Sequence, residues 1–127
     1  MSFDIHLQRF DDIESDGSAV MAVLQALVVD DDPSTHFRRI VTADGEAEVF
    51  GDPGAHLMFT HASGALIFDV IVEVAAAAGW VILPIAEGCG TCVVDDTQLE
   101  TLPDFAPEPV VVVRSGADLI AAIKAAD

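Results

Sequence analysis

The tract ALIFDVIVEVAAAAGWVILPIA, from Ala65 to Ala86, constrains this chain more than any other part of it. Between Ala65 and Ala78, twelve of fourteen residues are apolar. A helix with that pattern has no broad polar face and must be enclosed on most sides. Asp69 and Glu73, at i and i+4, form its only polar edge. The tract has the length of a membrane span. However, those two acids lie inside it, Gly79 and Pro84 interrupt it, and neither flank carries the Lys or Arg of an anchored helix. The expectation is a buried helix followed by a buried strand, WVILPI, with the helix packed centrally on a sheet.

Other segments supply that sheet. FDIHLQRF alternates, with Phe3, Ile5 and Leu7 on one face and Asp4, His6 and Gln8 on the other, which predicts a half-buried first strand. Asp16 or Ser18 can cap a helix carrying Val20, Val23, Leu24 and Leu27 at helical spacing. Its end is expected at DDDP, because Pro33 disfavours helical geometry in the residue before it. In FRRIVTADGEAEVFG, Asp44-Gly45 predicts a two-residue hairpin turn with both residues at positive φ, between strands at 37–42 and 46–50. HLMFTH and VVVV (110–113) predict further strands, and TQLETL one or two helical turns. Ser63 is placed to cap the central helix. Ser115 is placed to cap a last helix bearing Leu119, Ile120 and Ile123, with Asp118 bonding back. This order predicts a single α+β domain over residues 1–127, an antiparallel or mixed sheet packed against two or three helices.

Charge narrows the function. The net charge is −17, from 22 acidic residues against Arg9, Arg38, Arg39, Arg114 and Lys124. Direct nucleic-acid binding needs clustered Lys and Arg, as does adhesion to anionic membranes, and both are disfavoured. A basic protein partner is the expected counterpart, steered by long-range attraction that weakens with salt. The candidate contacts are Asp30, Asp31 and Asp32, expected at a helix C-terminus where the dipole disfavours them, and Asp95, Asp96, Glu100 and Asp104. The alternative is an acidic surface that serves only solubility or a salty cytoplasm. MSFDIHLQRF lacks the basic and apolar regions of a secretory signal, so the chain is expected to begin here and to be cytoplasmic. Oligomeric state is left open.

EGCGTCVVDD holds the only two cysteines, Cys89 and Cys92. A C-x-x-C pair at a helix N-terminus is a redox centre, but here β-branched Val93-Val94 and the acids Asp95-Asp96 follow, and the carboxylates raise a thiol pKa. Zinc needs a second ligand pair, which only His6, His36, His56 or His61 could supply. The expectation is a glycine-permitted turn, with a thiol-redox or metal-binding protein as the alternative. No G-x-S-x-G elbow surrounds Ser63, no calcium-loop pattern occurs, and Asp69 with Glu73 reads as a solvated edge rather than an acid–base pair. No catalytic residue set and no cofactor are assigned.

FDIHLQRF, TADGEAEVFG and the passage AGWVILPI to CGTC together resemble small acidic bacterial proteins, some of which are akin to the immunity components of toxin systems. The resemblance implies a protein that binds and blocks a partner without performing chemistry. It assigns no site residue.

Overall fold

A computed structural model describes residues 4–9, 17–85, 89–100, 102–104 and 106–125. The elements, in chain order, are β1 (Ile5–Gln8), α1 (Ser18–Leu24), β2 (Val28–Asp32), β3 (Phe37–Val41), β4 (Glu46–Asp52), β5 (His56–Thr60), α2 (Leu66–Ala78), β6 (Val81–Pro84), β7 (Thr91–Val93), β8 (Val110–Val112) and α3 (Gly116–Ala125). The strands form one mixed sheet in the order β2-β3-β4-β5-β1-β6-β7-β8. Every neighbouring pair is antiparallel except β7 and β8, which are parallel. This is the α+β architecture expected from the element order.

Strand alternation decides the core. Ile5 and Leu7 of β1, Leu57 and Phe59 of β5, Val49 of β4 and Ile82 of β6 share one face and are at most 1% exposed. Against them lies α2, whose Ile67, Val70, Ile71, Val72, Val74, Ala75 and Ala78 are buried, while Glu73 is exposed. Helices α1 and α3 pack on either side of α2. Gly79, at φ 71°, ends α2 in the left-handed conformation, and the next residue, Trp80, is fully buried.

Two carboxylates lock the helices in place. Asp44 accepts from the backbone N–H of Ala65 (2.9 Å) and of Leu66 (3.3 Å), satisfying donors at the start of α2. The predicted cap, Ser63, instead exchanges hydrogen bonds with the backbone of Glu46. Asp69 accepts from the N–H of Gly116 at 2.8 Å and so ties α2 to the first residue of α3. Ser115 accepts from the Asp118 N–H, as expected, and the Asp118 carboxylate accepts from the Arg114 N–H.

The 42–45 connection corrects the hairpin expectation in detail. It spans four residues, closed by Thr42 N–H donating to the Gly45 carbonyl at 2.8 Å, and neither Asp44 nor Gly45 has positive φ. Glycine is required for another reason: a Cβ at Gly45 would stand 1.9 Å from the carbonyl oxygen of Ser63. The α1 helix also ends earlier than expected. A 3-10 turn (Gln25–Leu27) follows it, and Val28 then starts an edge strand. The predicted cap Asp16 lies outside the described residues, and Gly17 occupies the N-cap position at φ 81°.

Gly45→Ala is expected to destabilise by about 2 kcal/mol, the usual cost of forcing a methyl group into closed packing. Asp44→Asn is expected to lower the thermal midpoint at neutral pH. Burial raises the Asp44 pKa, but hydrogen bonds from the Ala65 N–H, the Thr42 hydroxyl and the Leu66 N–H outweigh it and hold the pKa below the ordinary 3.8. The stability this carboxylate contributes is therefore present above the ordinary value and lost as pH falls through the depressed one. Melting curves of the variant and parent should converge in acid.

Candidate functional site

All three helices lie on one side of the sheet, and the register specifies what the other side presents. Pairings of His6 with Met58 and Leu83, and of Phe50 with Phe37 and Met58, put these five side chains on one surface, free of helices among the described residues. Each is half-buried. Phe37 and Phe50 meet edge-on, with ring centroids 5.2 Å apart and planes tilted by 52°. At the β6–β8 end this face is covered. There the Thr91 hydroxyl donates to the Pro107 carbonyl at 2.8 Å, which brings the stretch just before β8 onto this face. Val81, Thr91 and Val93, all on this side, are buried there. The remainder, over β3, β4, β5 and β1, is uncovered among the described residues.

At its centre His6 Nδ1 and His56 Nε2 lie 2.9 Å apart, with stacked rings. One ring must donate and the other accept, so protonating both removes the bond. Desolvation, and then the charge of His6, lower the His56 pKa. The sequence placed His6 on the polar face of β1 but carried no sign of its partner, fifty residues away.

The predicted acidic contacts fall in two separate places, one of them bordering this surface. Asp30, Asp31 and Asp32 are exposed in edge strand β2, paired with Arg39, Arg38 and Phe37. They do not sit at a helix C-terminus: Val28 and Val29 favour an extended backbone, and an edge strand tolerates the carboxylates that a helix end would not. Arg39 is shared between Asp30, at 3.4 Å, and Glu46. The Ser34 hydroxyl and N–H bond to Asp32 and lower its pKa. Asp95, Asp96, Glu100 and Asp104 are exposed between β7 and β8, and Asp95 lines a groove with Ala76 and Gly79 at the end of α2. Asp95 accepts from the N–H and hydroxyl of Thr97, which depress its pKa, and Asp96 reaches Arg114 at 3.6 Å. Asp30, Asp31 and Asp32 on one edge, and Asp95, Asp96, Glu100 and Asp104 elsewhere, form two separate acidic clusters rather than one patch.

Cys92 corrects the turn reading. It is the middle residue of β7, paired with Ile82, and it faces the helices at 4% exposure. Burial, and secondly Cys89, push its thiol pKa up to about 11. Neither cysteine is in a disulfide. The glycine between them is needed because a Cβ on Gly90 would stand 1.9 Å from the Pro109 carbonyl oxygen. His6 and His56 lie on the opposite side of the sheet, and among the described residues no three His, Cys, Asp or Glu side chains gather as metal ligands. This environment holds the Cys92 thiol protonated, the reverse of an activated redox cysteine.

Searches against protein families, curated proteins and solved structures return no match to the chain. Among the described residues no helix is long and apolar enough to cross a membrane.

Because the His56 pKa is depressed, the unfolded chain takes up the proton first, and stability falls as pH drops below the ordinary value of 6.5. His56→Gln should flatten the thermal midpoint between about pH 7 and pH 5, where histidine titrates. The Cys92 shift, from 9.0 to about 11, implies about a hundredfold less thiolate in the folded protein at neutral pH. Mass-resolved alkylation should modify Cys92 correspondingly more slowly in the native than in the urea-unfolded chain.

Proposed function

We propose that this chain is a non-enzymatic binding protein, of the immunity or inhibitor kind, that holds a basic protein partner on the helix-free face of its sheet. One observation carries the reading: a face uncovered among the described residues, carrying Phe37, Phe50, Met58 and Leu83 and bordered by Asp30–Asp32 on edge strand β2. An apolar, aromatic centre within a charged rim is the usual anatomy of a protein interface. The sign of the rim selects the partner. A net charge of −17 steers cations inward and repels acidic proteins, giving fast, salt-sensitive association. Asp31, Glu100 and Asp104 act as steering charges, and the aromatic and Met side chains hold the partner once it is docked.

Capture from the native host should yield a basic protein at about 50 mM salt and less of it at about 300 mM, as screening shortens the attraction. With that protein purified, Phe50→Ala combined with Met58→Ala should raise Kd about tenfold or more, mainly through dissociation. Asp31→Asn with Glu100→Gln and Asp104→Asn should instead slow association and weaken its salt dependence. Recovery of no partner, or of one indifferent to salt and to the Phe50 and Met58 changes, would sink the proposal.

A further inference from the structure

Strands β1 and β5 bring two imidazoles and a thioether together on the open face of the sheet. His6 stands directly opposite Met58, and His56 lies two residues before Met58 on the same face of β5. All three are half-buried. Asp52 of β4 is opposite His56, but its carboxylate accepts from the Gly54 N–H at 2.8 Å.

The two rings meet nitrogen to nitrogen. His6 Nδ1 and His56 Nε2 are 2.9 Å apart, and the ring centroids are 5.1 Å apart. That centroid separation is near the largest that such a contact permits between five-membered rings, so the two nitrogens lie between the rings and face each other. In the neutral pair a single hydrogen occupies the space between them. A metal ion takes the same place when both nitrogens turn lone pairs to it.

We propose that His6 Nδ1, His56 Nε2 and the Met58 thioether form a binding site for a soft monovalent cation, copper(I). The donor set selects the metal. Among the described residues no third His, Cys, Asp or Glu joins the pair, so calcium and magnesium lack the oxygen ligands they require. Zinc would find two of its usual four ligands. Copper(I) suits both imidazole and thioether. All three ligands are neutral, so the occupied site carries one positive charge, which costs less in half-buried surroundings than a divalent ion. The net charge of −17 adds long-range attraction for the cation. The fit needs only a small movement. With metal–nitrogen bonds of about 2.0 Å at a trigonal angle, the nitrogens stand about 3.5 Å apart, so the rings part by about half an ångström. The ring that donates in the free pair then carries its hydrogen on its other nitrogen, and no proton has to leave.

Cys89 and Cys92 also attract copper(I), but Cys92 faces the helices, on the other side of the sheet, so the two places can be separated. In a Cys89→Ala/Cys92→Ala chain, anaerobic titration of copper(I) against a coloured chelator should show one bound ion. His6→Gln and His56→Gln should each weaken it by about a hundredfold, as large as the effect of losing outer-shell support at a metal site. Met58→Leu keeps the apolar volume, and should weaken copper(I) by about tenfold while leaving the weaker binding of zinc unchanged. If the cysteine-free chain fails to fold, NMR of the parent chain serves instead. Over the first two equivalents of copper(I), the Met58 methyl and both imidazole signals should shift, and the Met21 methyl should not. No bound ion in a folded cysteine-free chain would overturn the inference. So would an ion indifferent to all three substitutions, or Met58, His6 and His56 signals that stay in place. These measurements use the free chain, so their outcome is independent of whether the same face receives a basic protein.

Discussion

The enclosure of α2 governs the rest of this structure. A helix whose buried residues occupy most of its circumference needs a sheet beneath it and further helices beside it. The sheet supplies Ile5, Leu7, Val49, Leu57, Phe59 and Ile82, while α1 and α3 supply the flanks. Its N-terminal end is then tied by charge-assisted contacts, Asp44 accepting from the start of α2 and Asp69, in the first turn of α2, accepting from α3. Meeting this one demand places all three helices on the same side. The uncovered sheet face is the direct result, and it is where half-buried aromatic, methionine and histidine side chains collect.

Along β2 the acidic surface guards an edge that would otherwise template another strand, and it borders the open face there. Local partners already hold several of these carboxylates: Ser34 for Asp32, Arg39 for Asp30 and Thr97 for Asp95. The group that shapes a long-range field is thus partly distinct from the group that shapes turns.

Much of the fold was legible because it rested on local rules. The α2–β6 succession, the β3–β4 pairing around the Asp-Gly turn and the Ser115 cap each follow from spacing within a few residues. What escaped were elements whose sequences contradict ordinary propensity. VVDDD is a poor strand by composition and is stable only because β3 pairs with it at an edge. TCV is only three residues long and lies beside glycines that mimic a turn. The acidic residues were legible individually, but not their division between two clusters, and the His6–His56 contact depends wholly on register between distant segments. The cysteines were read as a pair along the chain, whereas their chemistry is set by what β7 packs against.

β1 occupies the middle of the sheet, hydrogen-bonded to β5 on one side and β6 on the other. It is the first of these elements to leave the ribosome, yet its nearest partner begins at His56 and its second at Val81. Until those partners are made, this alternating strand has both edges open and its apolar face, Ile5 and Leu7, without its core partners. The sheet therefore closes inward, with the oldest segment inserted between two later ones. Such long-range closure is slow and passes through exposed intermediates.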